Sequence, residues 1–219
     1  MNPETFKYKL FGRFKGRKKN TLLSYKKLNK FKINIKKDIN KLNYNILDIG
    51  SGSGENAIHL ANIRPLSKVY TCELFEDGNI NLINKIIKNK IENIKLYQGN
   101  VIEFLDLIES PMTFNEIWIL FPDPWPKKRH HKRRLINEKF LMKIYNNLKA
   151  DGRIFISSDS SNYLCSILLT IFKVKNHYIW KNESFSKWYY KALLLPETKF
   201  YKKAEKSNRN SMFFELKKI

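Results

Sequence analysis

The sequence predicts an α/β, doubly wound fold with a mostly parallel sheet, and two observations support this class. From residue 44 onward, short apolar runs alternate with longer segments of helical periodicity, as is typical of parallel strands joined by crossover helices. Several runs hold consecutive apolar residues, as in EIWILF at 116–121, as expected for strands covered on both faces. We therefore expect residues 44–219 to form one domain and residues 1–43 to form a basic N-terminal arm.

Six runs are predicted to be strands because they are short, apolar and flanked by turn residues. They cover residues 45–50, 68–74, 93–98, 116–121, 152–159 and 211–218. Five segments between them carry apolar residues at helical spacing. They cover residues 54–63, 77–91, 101–108, 137–148 and 161–174. Each predicted parallel pair is thus separated by a segment long enough for a crossover.

The charge of the chain predicts a polyanionic partner. Lys and Arg number 42 against 20 Asp and Glu, a formal net charge of +22, and residues 1–37 hold thirteen of those cations with Glu4 as their one acid. Nucleic acid is favoured over a membrane, because no run approaches the ~18 apolar residues of a spanning helix. Aromatic residues interleave with the cations of the arm, which suggests that it grips RNA. A solvated leader without a role is the alternative.

The cysteines and the N-terminal segment bear on location. Cys72 and Cys165 lie far apart, and neither belongs to a CxxC or Cys/His cluster, so we expect reduced thiols, a cytoplasmic protein and no metal site. The first residues lack the apolar core of a secretory signal, although their scarcity of acids leaves an organellar transit peptide as an alternative. The sequence does not choose between a monomer and a homodimer.

A glycine-rich turn predicts a cofactor site. Gly50, Gly52 and Gly54 lie between the first strand and the first helix, and Glu73 ends the next strand. Backbone without Cβ atoms admits close approach of a ligand, and an acid at the second position accepts hydrogen bonds from ribose hydroxyls. Asp48 would repel a diphosphate but attract a sulfonium or an ammonium group. S-adenosylmethionine therefore fits better than a nicotinamide dinucleotide, and a tight turn without a ligand is the alternative.

Two further polar residues stand at the ends of predicted strands. Asn100 follows the strand at 93–98, where such sheets commonly contact adenine, and Asp159 ends the strand at 152–159. The carboxylate of Asp159 is able to hydrogen-bond a nucleobase. For both residues, capping of the helix that follows is an alternative role.

A carboxylate lies between two prolines in the segment FPDPWP at residues 121–126. Pro124 disfavours helical angles at Asp123 and Pro122 fixes its own φ, so Asp123 is presented from a stiff loop at a strand end. The run KKRHHKRR at residues 127–134 follows at once and carries six fixed positive charges, which predicts phosphate binding. A turn-forming Asp-Pro pair and a solvated charged surface are the alternative explanations.

The segments LDIGSGSG, CELF, FPDPWPKKRHHKRR, SSD and ETKF follow one another in an order and spacing that resemble the bacterial tRNA (guanine-N7)-methyltransferase family, from about residue 44 to the C-terminus. The resemblance implies a Rossmann-like class I methyltransferase domain that uses S-adenosylmethionine. It also implies that the target is N7 of a guanine in tRNA, at position 46 of the variable loop. Because N7 carries a lone pair and no proton, Asp123 would act by placement and electrostatics rather than as a base.

The resemblance implies roles for individual residues, with Asp123 as the catalytic residue. The residues implied to line the cofactor site are Asp48, Gly50, Gly52, Glu73, Asn100 and Asp123. The residues implied to contact the tRNA are Lys127, Arg129, Lys132, Arg133, Arg134, Asp159, Thr198, Lys199, Phe200 and Tyr201.

Three departures accompany the resemblance. Asn100 stands where the family usually has Asp, Tyr201 stands where it usually has Glu, and the RG pair that commonly follows is absent from KKAEKSNRN at residues 202–210. Asn accepts a hydrogen bond from an adenine amino group as Asp does, whereas the change at Tyr201 leaves recognition of the guanine edge open. These departures motivate a second hypothesis, a non-catalytic RNA-binding protein. A third, a nicotinamide-dependent dehydrogenase, is disfavoured by Asp48 and the GxGxG spacing.

Overall fold

The computed structural model describes residues 22–189 and 195–219. Within them the strands form a single sheet. They are β1 (Asn45–Ile49), β2 (Lys68–Glu73), β3 (Ile94–Gln98), β4 (Phe114–Leu120), β5 (Leu148–Ser158), β6 (Tyr178–Trp180) and β7 (Met212–Lys218). Their spatial order is β3-β2-β1-β4-β5-β7-β6. Strands β1 to β5 are parallel, whereas β7 runs antiparallel to both of its neighbours.

Helices connect the parallel strands and cover both faces of the sheet. They are α1 (Leu22–Phe31), α2 (Ile35–Asp38), α3 (Glu55–Ile63), α4 (Glu76–Lys88), α5 (Val101–Leu107), α6 (Glu138–Asn147), α7 (Ser161–Lys173) and α8 (Lys199–Lys206). Two 3-10 helices cover Lys128–Arg133 and Phe185–Trp188. The predicted doubly wound α/β class is confirmed.

The core consists of two apolar layers, one on each face of the sheet. Leu47 and Ile49 of β1 belong to one layer together with Phe104 of α5 and Ile144 of α6. Ile46 belongs to the opposite layer, which includes residues of α3 and α4. Successive side chains of a strand point to opposite faces, so β1 is buried along its whole length. The glycine-rich turn therefore begins at the end of a strand that packing holds rigid.

Part of the predicted N-terminal arm packs against the edge of the sheet. Leu28 of α1 and Ile33 are buried, and the Ile33 N–H donates to the Leu96 carbonyl at 2.8 Å. The described part of residues 1–43 thus contributes to the core, and the boundary predicted at residue 44 does not mark the start of packed structure. Residues 1–21 lie outside the described residues, so a basic arm there stays a prediction.

Both cysteines are free in the structure. Cys72 is buried and Cys165 is exposed. Within residues 22–189 and 195–219, no group of His, Cys, Asp and Glu has an arrangement that would hold a metal ion. Among the helices of that same part of the chain, none combines the length and the apolar character needed to cross a bilayer.

Candidate functional site

The predicted polar residues meet at one edge of the sheet. Parallel neighbours end at the same edge, and the strand order places β3, β2, β1, β4 and β5 side by side. Asn100, Glu73, the glycine-rich turn, Asp123 and Asp159 follow these strands in that spatial order. Ligands of open α/β sheets bind outside this edge, so the structure brings the acids from separate parts of the sequence to one candidate site.

The glycine-rich turn and Glu73 are joined by hydrogen bonds. Gly50, Gly52 and Gly54 have φ values of +70°, +54° and +79°, a left-handed backbone that only glycine adopts without strain. The Gly52 N–H donates to Glu73 Oε2 at 2.8 Å, and the Phe75 N–H donates to Oε1 at 2.7 Å. Each carboxylate oxygen keeps a second lone pair, so Glu73 is fixed in place and still accepts hydrogen bonds from hydroxyl groups.

Helix α4 packs against the glycine-rich turn. Lys85 Nζ donates to the Ser53 carbonyl at 2.7 Å and to Glu55 Oε1 at 2.6 Å. A Cβ added at Gly78 would lie 2.6 Å from the Gly52 carbonyl oxygen, so the backbones of α4 and the turn touch. Sequence reasoning missed Gly78, although a glycine inside a helical pattern is a signal of close packing.

Asp48 is a buried carboxyl group with one unpartnered oxygen. Asn56 Nδ2 donates to Asp48 Oδ1 at 3.0 Å, while Oδ2 has no hydrogen-bond partner within the described ranges. The pKa of Asp48 is raised to about 7, mainly by burial; the hydrogen bond from Asn56 opposes this rise and the charge of Glu73 adds to it. A buried charge without a full set of partners is costly, so this end of the turn favours a ligand group that is cationic or donates hydrogen bonds.

The loop that carries Asp123 is strained and braced. Phe121 and Trp125, on either side of it, have φ values of +53° and +43°, which cost of the order of 1–3 kcal/mol each for residues other than glycine. The Phe121 N–H donates to the Ser157 carbonyl at 2.9 Å, which fixes the start of the loop to β5. Surrounding contacts must therefore hold the loop in this conformation.

Asp123 itself lies at the mouth of the site. Its side chain reaches solvent, and it accepts no hydrogen bond from the residues that the structure describes. Packing beneath the loop still desolvates the carboxyl group in part and raises its pKa. Burial also raises the pKa of Glu73, the N–H groups of Phe75 and Gly52 lower it, and the charge of Asp123 adds to the rise. The two acids therefore share one electrostatic environment.

The basic run after this loop has two sides. Lys127, Lys128, Arg129 and Lys132 are exposed and available to phosphate. Arg134 is only 6% exposed.

The contacts of Arg134 in the structure are within the protein, and its predicted contact with tRNA stays a prediction. Its Nε donates to the Pro124 carbonyl at 2.9 Å and a terminal nitrogen donates to Asn162 Oδ1 at 2.6 Å, while its guanidinium lies 4.9 Å from the centre of the Tyr163 ring. The side chain supports the Asp123 loop from inside. Sequence reasoning took the whole run as surface because side-chain direction in a 3-10 helix does not follow from charge alone.

Asp159 and Asn100 have partners of their own. Arg209 Nε donates to Asp159 Oδ2 at 2.8 Å, so Asp159 forms an ion pair and does not cap α7, whose N-cap residue is Ser160. Asn100 does cap α5, because its Oδ1 accepts from the Ile102 N–H at 2.7 Å. Arg209 was missed because it lies 50 positions away in the sequence, and nothing in the pattern links the two residues.

The C-terminal segment departs from the predicted contacts. Thr198 is buried and its Oγ1 accepts from the Tyr201 N–H at 3.1 Å, which caps α8. Tyr201 is only 5% exposed, and its hydroxyl donates to Glu205 Oε1 at 2.7 Å. The side chains of Thr198 and Tyr201 therefore stabilise α8 instead of facing a substrate, because the apolar layer beneath the helix takes up the Tyr201 ring.

Two neighbours of Tyr201 do face outward. Lys199 and Phe200 are exposed. A Cβ added at Gly52 would lie 3.9 Å from Phe200 Cε2, so the Phe200 ring lies beside the glycine-rich turn. The structure therefore places an accessible aromatic face at the rim of the candidate site.

Comparison with known proteins identifies a family. A family model described as "Putative methyltransferase" matches residues 43–214. A tRNA (guanine-N(7)-)-methyltransferase from Buchnera aphidicola subsp. Schizaphis graminum is 35% identical over 175 residues, which make up 79% of this chain and 72% of that protein. A protein of the same name from Acidovorax sp. (strain JS42) is 37% identical over 118 residues, 54% of this chain and 47% of that protein. The second match spans about half the length of the relative.

Solved structures of methyltransferases share the fold. An rRNA methylase from Streptococcus thermophilus superposes with a TM-score of 0.54 at 15% identity and covers 93% of this chain and 99% of its own. A putative methyltransferase from Streptococcus mutans in complex with SAH gives a TM-score of 0.53 at 15% identity, with 90% and 96% covered. These two structures show the fold, whereas the family model and the Buchnera protein, which matches over most of both chains, show that the chain belongs to the tRNA (guanine-N(7)-)-methyltransferase family.

Proposed function

We propose that this protein transfers the methyl group of S-adenosylmethionine to N7 of a guanine in tRNA, at position 46 of the variable loop. The observation that carries the proposal is the placement of Asp123 on a braced loop, at the same strand edge as the glycine-rich turn and next to exposed cations. The names of the relatives support the reaction, and the resemblance in the sequence supports the position.

The residues around the turn fit S-adenosylmethionine. A Cβ added at Gly50 would meet nothing within 4 Å, so there is open space above the turn. Asp48 Oδ2 lacks a donor in the described part of the chain and would take the cationic end of the ligand, while Glu73 would accept from its ribose hydroxyls. Asn100 keeps a lone pair of Oδ1 for the adenine amino group. When bound, the cofactor supplies a methyl group on a positively charged sulfur.

Asp123 would place the guanine and favour its developing charge. N7 attacks with its own lone pair, and no proton has to be removed from it, so the reaction needs no general base. The transfer moves positive charge onto the purine, and a carboxylate held beside it stabilises that charge without reorganising. No described residue donates a hydrogen bond to Asp123, so its two oxygens would accept from the guanine N1–H and amino group. Asp159 is the less available acid because Arg209 already donates to it.

The exposed cations would bind the tRNA backbone. Lys127, Arg129, Lys132 and Lys199 are exposed on the side of the site that carries the Asp123 loop and α8. Each cation that neutralises a phosphate releases counterions, so affinity would fall steeply with salt. The exposed ring of Phe200 offers a stacking surface to an unpaired base.

Methyl incorporation into an unmodified tRNA transcript tests the function. We expect tritium from labelled S-adenosylmethionine to enter the transcript and a single cleavage at position 46 after borohydride and aniline treatment, which reports 7-methylguanosine. A transcript with 7-deazaguanine at that position lacks N7 and should take up no label.

The alternative outcomes are distinct. If label enters the tRNA but aniline does not cleave it, the methyl group has been transferred to an atom other than N7. Folded protein that retains tRNA but incorporates nothing would favour the non-catalytic RNA-binding hypothesis.

A further inference from the structure

The basic run folds back over the loop that carries Asp123. His131 Nε2 lies 3.4 Å from the Pro126 carbonyl oxygen. The Arg133 guanidinium lies 4.9 Å from the centre of the Trp125 ring. The 3-10 helix Lys128–Arg133 therefore contacts the loop with one side, while the other side is open to solvent.

Arg134 makes the strongest of these contacts. Its guanidinium bridges the Pro124 carbonyl, directly after Asp123, and the Asn162 side chain of α7. Tyr163, which is fully buried, lies under the guanidinium, and its hydroxyl accepts from the Ile136 N–H at 2.9 Å. Arginine suits such a site because its planar group donates in two fixed directions.

We propose that Arg134 is a positioning residue for the methyl transfer. It holds the Asp123 loop through the Pro124 carbonyl, whereas the exposed cations of the same run bind RNA. This inference rests on the proposed function. It adds that one side of the basic run positions the Asp123 loop and the other side binds RNA. Its physical reason is the left-handed backbone at Phe121 and Trp125, which the loop keeps only if outside contacts offset its strain.

Steady-state kinetics of variants test the assignment. Arg134→Met leaves the Pro124 carbonyl without its donor but keeps much of the side-chain volume. We expect kcat to fall about 10- to 100-fold, because a displaced loop misaligns Asp123, while KM for tRNA stays within about twofold. Arg134→Lys keeps a charge and one donor, so it should recover part of kcat. Asn162→Ala should lower kcat less, and its effect should not add to that of Arg134→Met.

Two control variants separate positioning from RNA binding and from folding. The double variant Arg129→Gln with Lys132→Gln should raise KM for tRNA and reduce the slope of log affinity against log salt by about 1 to 2, with kcat at saturation unchanged. Arg134→Met should leave that slope as in the wild type. Tyr44→Phe removes a hydrogen bond to Glu116, at the far end of the sheet, and should lower the urea midpoint of unfolding without changing kcat.

The outcomes distinguish this inference from the proposed function. An inactive wild-type protein would refute the function itself. If the wild type is active, three results would each overturn the positioning role and assign Arg134 to the RNA-binding surface. They are a lower salt slope for Arg134→Met, an unchanged kcat of Arg134→Met at saturating tRNA, and no recovery of kcat in Arg134→Lys. If Arg134→Met does not fold at the assay temperature, the milder Asn162→Ala carries the same comparison, since Asn162 is exposed.

Discussion

Replacing Asp48 with Asn should make the protein more stable at neutral pH and weaken cofactor binding. Burial raises the pKa of Asp48 from its ordinary value of 3.8 to about 7. A difference of about three pH units corresponds to on the order of 4 kcal/mol. The folded protein must hold this carboxylate ionised and buried above pH 7, whereas the unfolded chain ionises it without cost.

The sign of the pH dependence follows from that difference. Between pH 4 and 7 the folded state binds more protons at Asp48 than the unfolded state does, so the free energy of unfolding falls as pH rises through this window. Asn does not ionise, and Asp48→Asn removes the decline. The gain at pH 8 will be smaller than 4 kcal/mol, because the new amide leaves an unpaired N–H near Asn56 that costs about 1–3 kcal/mol.

Urea unfolding at pH 5, 6, 7 and 8 measures the effect. Subtracting the wild-type curve from that of Asp48→Asn cancels the acids that do not interact with Asp48, whereas Glu73, whose charge raises the pKa of Asp48, stays coupled to it. We expect the variant to gain relative stability by up to about 1.4 kcal/mol per pH unit below pH 7 and to level off above it. Parallel curves for the two proteins would refute a buried, proton-binding Asp48.

Cofactor binding supplies the second half of this prediction. A cationic ligand favours the ionised form of Asp48, so binding of S-adenosylmethionine near pH 6.5 should release a proton. Calorimetry in buffers of different ionisation enthalpy counts that proton. Asp48→Asn should bind at least about tenfold more weakly and release none. An equal proton release from the variant would assign the proton to another group.

Three further variants probe other parts of the structure. Asp123→Asn should lower kcat at least about 100-fold and leave the Kd for tRNA, measured by filter binding, within about twofold; a parallel loss of both would contradict a purely catalytic role. Gly78→Ala places a Cβ 2.6 Å from the Gly52 carbonyl, so calorimetry should show weaker cofactor binding even though alanine favours helix. Glu116→Gln weakens hydrogen bonds from Tyr44 and Trp118 and should cost about 2 kcal/mol in urea unfolding with kcat unchanged.

The sequence predicted those elements whose burial is regular. β1 and β4 are mostly apolar, and the structure buries them between two helical layers. The three-residue strand β6 was missed because so short a segment has no recognisable period. Helix α8 was missed because it is strongly polar and buries only Tyr201 and Ala204. Pattern reasoning therefore succeeds where an element has a wide apolar face and fails where tertiary contacts alone define it.

In the candidate site, too, some features were predictable from the sequence and others were not. Asp48, Glu73 and Asp123 were predictable because each lies at or just beyond the carboxyl end of a strand, and the carboxyl ends of parallel strands share one edge. Their hydrogen-bond partners were not predictable. The bridge from Arg134 to Pro124 depends on how a 3-10 helix turns back over the loop, and the contact between Gly78 and Gly52 depends on the packing of α4.

The departures from the family pattern acquire a physical meaning in the structure. Tyr201 stands where the resemblance leads us to expect a glutamate, and its hydroxyl donates to Glu205 one helical turn later. The RG pair that the resemblance leads us to expect is absent, and Arg209 pairs with Asp159. Arg209 already donates to Asp159, whereas no described residue donates a hydrogen bond to Asp123. These departures therefore leave in place the acid on which the proposed transfer depends.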